Sequence, residues 1–354
     1  MKILKYQKFC DINIEDNFFS SLKEDYVEFE DWFKKKSSSN SEAYVFFNSK
    51  QNLDGFLYLK REDQVDSTIS PALPNGVSIK IGTLKINAHG TKLGERFVKK
   101  AFDHAMVENA DYIYVTIFSK HSSLILLFER YGFIKHGTKI GANGSENVYI
   151  RKLKNLSGDP VKDFPHFSIQ DRKYYLLAIY PEYHSAFLPD SILNNENHDI
   201  VQDVSHTNSI HKIYISGIAR TKKMNPGDIV AIYRTTDGKG KAFYRSVVSS
   251  LGVVEEVRQI KSFASESQFI KYAKPYSIFT KDELKDFFTN KKKSYIIRFL
   301  YNAALKKRLT RGRLIEECHV STRTRWDFIS LNETQIRWIA EKGEINESIV
   351  VDKT

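Results

Sequence analysis

The chain is 354 residues long, with 41% hydrophobic, 13% aromatic and 27% charged residues and only 8 prolines and 17 glycines. That length predicts two domains, and that composition excludes a collagenous or wholly disordered chain. Lysine plus arginine outnumber aspartate plus glutamate by 54 to 43, a net charge of +11 that favours an anionic partner such as a nucleic acid or a phosphorylated ligand. Two cysteines, Cys10 and Cys318, supply neither a disulfide framework nor a four-cysteine zinc site; no metal site is expected, and the usage suits a reducing cytoplasm. The start has no continuous apolar stretch of the secretory type, and no run of about 18 apolar residues exists, so neither a signal peptide nor a membrane partner is expected.

In chain order, Met1–Lys5 reads as a strand, and 16–26 and 29–36 as helices. Residues 43–47 and 53–60 form a hairpin around Asn48–Asn52. Val77–Ala88 alternates as a strand with one irregularity, and Leu93–Asn109 carries a helical apolar stripe. Tyr112–Phe118 is a buried strand, and Ser122–Tyr131 a short helix ended by Gly132. Residues 133–140 and 147–153 close the first half. The pattern then breaks at Leu156-Ser157-Gly158-Asp159-Pro160, where glycine and proline predict a linker. The division is therefore 1–155, a linker at 156–168, and 169–354; the net charge is +4 over residues 1–155 and +7 over the rest.

In the second half, strands are expected at 173–180, 212–218, after Pro226-Gly227-Asp228, at 247–257 and at 295–301. Helices are expected at 265–272, 281–288 and 332–342, the last capped by Asn332 and ended by Gly343. Many short strands with few helices suggest a small β-barrel. The whole chain is thus of mixed α+β class. From Asn290 to Arg313 nine basic residues occur with no acidic one: Lys291, Lys292, Lys293, Arg298, Lys306, Lys307, Arg308, Arg311 and Arg313. Such a run neutralises phosphates, and Tyr295, Phe299 and Tyr301 within it either stack bases or form one face of a core strand. Trp326 and Trp338 likewise either line a base pocket or fill a core.

The chemistry-bearing turn of the first half is His89-Gly90-Thr91-Lys92-Leu93-Gly94, between a strand and a helix. Backbone N–H groups at such a turn converge with the helix dipole into a site suited to a pyrophosphate. The order strand, turn, helix, strand, helix, Tyr131-Gly132-Phe133 resembles the GNAT family of N-acetyltransferases over roughly 1–155. Its phosphate loop, Arg/Gln-x-x-Gly-x-Gly/Ala, is matched by Gly94 and departed from by His89 and Lys92; a lysine in a glycine position predicts φ below zero there. The resemblance implies a mixed sheet with flanking helices and acetyl-CoA as acetyl donor. It sets the pyrophosphate on the N–H groups of Thr91, Lys92, Leu93, Gly94 and Glu95, and the pantetheine arm near Ile86 and Ala88. In the second signature, Asn-x-x-Ala-x-x-Leu-Tyr-x-x-x-Gly-Phe, His121 stands at the Asn position and Phe128 at the Tyr that serves as general acid. Phenylalanine cannot protonate a thiolate, so His121 and Tyr131 become the acid–base candidates, with Ser119 and Ser122 nearby.

The second half resembles the PUA-like superfamily, in its ASCH and EVE-type branches, through Asn225–Tyr233 and Leu251–Val257. That resemblance implies binding of RNA or modified bases. Together the two imply an N-acetyltransferase acting on an RNA- or tRNA-linked amine, with a role in translation control, toxin-type tRNA inactivation included. A degenerate acetyl-CoA-binding regulator of nucleic acid, and a protein or small-amine acetyltransferase, stay open, as do a homodimer and a partner protein.

Overall fold

The computed structural model describes residues 3–48, 50–87, 92–188, 210–290 and 294–352. The chain forms two compact units that divide between Leu153 and Lys154. Both are mixed α and β.

The first unit contains strands β1 (Ile3–Lys8), β2 (Glu42–Phe47), β3 (Leu53–Glu62), β4 (Ile69–Ser70), β5 (Ser78–Ile86), β6 (Tyr112–Ile117), β7 (Ile134–Gly141) and β8 (Gly144–Lys152). Its helices are α1 (Ser20–Asp25), α2 (Phe29–Ser38), α3 (Leu93–Val107) and α4 (Ser122–Arg130). The strands form one sheet in the order β1-β2-β3-β5-β6-β8-β7-β4. Every pairing is antiparallel except β5–β6, which is parallel and joined through α3. An aromatic core of Phe9, Phe18, Phe19, Phe29, Phe33 and Phe56 fixes α2 and the segment before α1 to the sheet. On α3 the buried residues Phe97, Ala101 and Ala105 recur at helical spacing, which is why this stretch is a helix with one side inward.

The second unit adds α5 (Pro160–Asp163), β9 (Tyr174–Ile179), α6 (Pro181–Phe187), β10 (His211–Ser216), β11 (Ile229–Arg234), α7 (Ala242–Arg245) and β12 (Val247–Gln259). They are followed by α8 (Glu266–Ala273), α9 (Lys281–Asn290), β13 (Tyr295–Thr310), α10 (Arg311–Glu316), β14 (Phe328–Leu331) and α11 (Glu333–Lys342). The sheet order is β10-β13-β12-β11-β9-β14, with β9–β11 parallel. Among the described residues β10 pairs only with β13 and β14 only with β9, so the sheet is open where a closed barrel was expected. Ile297, Phe299 and Tyr301 are core residues, which decides their role in favour of packing. β13 also runs on to Thr310, nine residues past its expected end.

The linker expected at 156–168 is instead built into the second unit. The buried carboxylate of Asp163 accepts hydrogen bonds from Ser157 N (2.7 Å), Ser157 Oγ (2.8 Å) and Gly158 N (2.8 Å). Phe164 and Phe167 are buried, and Asn302 Nδ2 donates to the Pro165 carbonyl at 3.0 Å. Glycine and proline here shape a turn, while the two phenylalanines seat the segment in the core. Among the described residues no helix is long and apolar enough to cross a membrane.

Candidate functional site

In the first unit the parallel pair β5–β6 is registered from Ser78↔Tyr112 to Ile81↔Val115 and then stops. Beyond it, among the described residues, β5 continues with β3 alone, through Leu57↔Leu84 to Gly55↔Ile86, and Thr116 and Ile117 continue with β8 alone. The register against β3 jumps from Leu59↔Ile81 to Tyr58↔Thr83, so Gly82 is the extra residue of a β-bulge. A bulge bends its strand and ends pairing. Glycine is required there because a Cβ would lie 2.8 Å from the Tyr58 ring. The bulge therefore parts β5 from β6 and leaves backbone groups of both strands facing a slot.

Three elements converge on the end of that slot. A Cβ on Gly94 of α3 would lie 2.7 Å from Leu127 Cδ2 on α4 and 3.6 Å from Ile86 Cδ1 on β5. Gly94 thus lets the first turn of α3 approach α4 and β5. Lys92 is the residue before α3 and takes φ +61°, ψ +24°, the left-handed region. This corrects the expectation of φ below zero: the turn keeps the backbone a glycine would have, and the lysine bears the strain. The side chain of Glu95 is 3% exposed and accepts from Arg130 Nη1 at 3.1 Å, with Lys92 Nζ at 3.9 Å, so its charge is compensated within the fold. Leu93 is buried at the start of α3. Ala88 and Thr91 lie outside the described residues.

Of the two acid–base candidates, Tyr131 is fully buried, with the Arg130 guanidinium 5.6 Å from its ring. Phe128 is also fully buried, packed on Phe133 at 5.0 Å between centroids. His121 is different. It precedes α4, its side chain is 41% exposed, and its Nε2 lies 3.0 Å from Asp25 Oδ2. Lys120 Nζ also bonds Asp25. Four residues back on α1, Ser21 Oγ accepts from Lys85 Nζ of β5 at 2.6 Å. Burial pushes the Lys85 ammonium down in pKa, opposed by Asp25 and Glu24. Tyr26 donates to Glu146 Oε1 at 2.9 Å and packs on Phe118 at 5.3 Å; burial and that carboxylate push its phenol well up. Asp25 carried no signal in the sequence, since its partner is 96 positions away.

In the second unit a cavity of 370 Å³ is lined by Tyr180, Tyr233, Thr235, Arg311, Arg325 and Trp326, among others. Tyr233 and Trp326 pack on each other at 5.3 Å between ring centroids with their planes tilted by 53°, and the Arg311 guanidinium lies 4.5 Å from the Trp326 ring. Trp326 Nε1 and Thr235 Oγ1 are buried without a hydrogen-bond partner among the described residues. Asp327 completes the wall, bonded by Arg220 Nη2 at 2.6 Å and approached by Arg325 Nε at 3.3 Å. Burial pushes Tyr233 upward in pKa, opposed by bonds to Ser246 and Arg311. Trp326 is thus a cavity residue; the cue in the sequence was its place between Arg325 and Asp327.

The basic run is divided by the fold. Arg298 pairs with Glu255 (2.9 Å), Lys307 with Glu344 (2.6 Å) and Arg313 with Glu317 (2.7 Å). Arg311 lies at the cavity, Arg308 is half-buried with its pKa lowered by desolvation, and Lys306 is exposed. Lys291, Lys292 and Lys293 lie outside the described residues.

The chain is similar to two groups of solved structures. One is a NatC complex bound to Gag peptide and CoA, at 18% identity over 43% of this chain and 98% of that one, with a TM-score of 0.30. An N-acetyltransferase from Staphylococcus aureus Mu50 gives 14%, 44%, 99% and 0.33. The ZmASCH protein from Zymomonas mobilis gives 12%, 49%, 97% and 0.32. No protein-family model and no curated protein matches the chain.

Proposed function

We propose that the first unit transfers an acetyl group from acetyl-CoA to an amine, and that the second unit holds the RNA that carries this amine. The observation that carries the reading is the parting of β5 from β6 at the Gly82 bulge, with the first turn of α3 closing onto its end through Gly94. Unpaired strand groups in such a slot can bond an extended amide-bearing arm, and a helix start favours phosphates. Lys92, Leu93, Gly94 and Glu95 would offer the N–H groups and Ile86 the strand end. In the second unit the cavity-lining rings of Tyr233 and Trp326, two unpartnered donors and two arginines are the groups that would meet a planar base attached to a phosphate. The cavity supports an RNA acceptor more than the basic run does, since carboxylates meet three of the run's charges.

The test is transfer from labelled acetyl-CoA into total RNA and into protein. Label in RNA, lost on Trp326→Ala, is the expected result. Label in protein alone overturns the RNA assignment. A second reading, an acetyl-CoA-binding regulator without turnover, is favoured by Phe128, a fully buried ring with no hydroxyl where a general acid is needed. Calorimetric binding of CoA with no transfer to either pool would establish it.

A further inference from the structure

Helix α1 is tied to both strands that border the slot. Ser21 accepts from Lys85 of β5, and Asp25, four residues on and so on the same helix face, accepts from His121 and Lys120 just after β6. The Asp25 side chain is 12% exposed, so its charge is poorly served by water and well served by these two partners. An imidazole that donates Nε2–H to a carboxylate carries its lone pair on Nδ1. No hydrogen bond to His121 Nδ1 occurs among the described residues.

We propose that Asp25 is a positioning residue that orients His121 through Nε2 and so presents Nδ1 as the general base for the acceptor amine. This rests on the acetyltransferase reading above. His121 Nδ1 takes a proton from the acceptor ammonium, and the neutral nitrogen adds to the thioester carbonyl carbon. The tetrahedral adduct collapses as the C–S bond breaks, its electron pair leaving on sulfur. The nitrogen's second proton passes to the thiolate, directly or through solvent, giving amide and free thiol; the imidazolium returns its proton to water. Through both steps the Asp25 carboxylate faces the imidazolium and stabilises its charge. Lys120 shares the same carboxylate, while Lys85, Glu24 and the Tyr26–Glu146 pair lie beyond it.

The experiment is a double-mutant cycle on the full chain with Asp25→Ala, His121→Ala and both. General-base catalysis is worth about 10²–10⁴-fold. Asp25→Ala is expected to lower kcat by about 10-fold or more on that scale, with KM for acetyl-CoA held within about 2-fold. The double variant should be no slower than His121→Ala alone. Asp25→Asn, which keeps an acceptor for Nε2–H without the charge, should recover part of the loss. ¹⁵N spectra of the imidazole should report the Nε2–H tautomer in the native chain and a mixture in Asp25→Ala. If Asp25→Ala does not fold, the Asp25→Asn arm and its spectrum carry the same comparison. Additive losses, or an unchanged tautomer, overturn the inference while acetyl transfer by the native chain stands. A native chain that binds CoA but transfers acetyl to no amine overturns the parent reading and this one with it.

Discussion

Lys92 offers a direct measure of how far the backbone at the start of α3 is built for glycine. Its φ of +61° puts a β-carbon in the left-handed region, which costs about 1–2 kcal/mol for an L-residue with a side chain. Lys92→Gly removes that strain but admits more freedom to the unfolded chain, at about 0.5–1 kcal/mol. The net gain expected is about 0.5–1 kcal/mol. Lys92→Ala keeps the β-carbon and the strain. Both variants lose the contact of Lys92 Nζ with Glu95 at 3.9 Å, a partly exposed pair of about 0.3 kcal/mol. The difference between glycine and alanine therefore isolates the backbone. Urea unfolding with Trp32 fluorescence, in a Trp326→Phe/Trp338→Phe background, reads the first unit, because Trp32 is its single tryptophan. Glycine should exceed alanine by about 1 kcal/mol at equal m. Equal stabilities would refute the argument. On the proposed acetyl-CoA reading, both variants should also lose CoA affinity alike, about 3–10-fold, since each removes one positive charge beside the proposed phosphate site.

Phe128→Tyr places a hydroxyl in a fully buried site against Phe133, and should cost about 1–3 kcal/mol in unfolding without accelerating acetyl transfer; a tenfold rate gain would show that the ring reaches the thioester. Cys10 is exposed and Cys318 buried, its thiol pushed up to about 11, so iodoacetamide at pH 8 should label one cysteine natively and two in urea. Because the folded thiol ionises above its ordinary value of 9.0, the contribution of Cys318 is complete below pH 9 and declines as pH rises toward 11; the stability of Cys318→Ala should lack that decline. On the proposed RNA reading, Lys306→Ala should reduce the slope of log affinity for single-stranded RNA against log salt by about 1, and Arg313→Ala should leave it nearly unchanged, because Glu317 already holds Arg313. Equal slopes in the two variants would mean that the paired arginine opens toward phosphate.

Much of the strand and helix order was legible because it is written in local periodicity. Phe97, Ala101 and Ala105 repeat at helical spacing, and the run from Tyr112 to Ile117 is apolar and β-branched, so α3 and β6 follow within a residue or two of their expected ends. The irregularity expected in Val77–Ala88 is present as the Gly82 bulge, though only pairing with β3 shows that it parts β5 from β6. Ser157-Gly158-Asp159-Pro160 has the composition of a hinge, while the burial of Phe164 and Phe167 depends on partners elsewhere in the chain. His121 stood out as a titratable residue at the Asn position of the motif that the sequence resembles. Its partner Asp25 did not, because a contact between distant residues leaves no periodic trace.

The sequence by itself therefore determined what depends on neighbours along the chain: the alternation of strands and helices and the periodic faces of elements such as α3. Only the tertiary structure decided what depends on neighbours in space. It brought Asp25 to His121, gathered residues from Ala178 to Asp327 around one cavity, and met Arg298, Lys307 and Arg313 with carboxylates that lie outside the basic run. The reason is physical. Charge and periodicity are properties of a segment, whereas burial, pairing and cavity shape are set by which segments the sheets bring side by side.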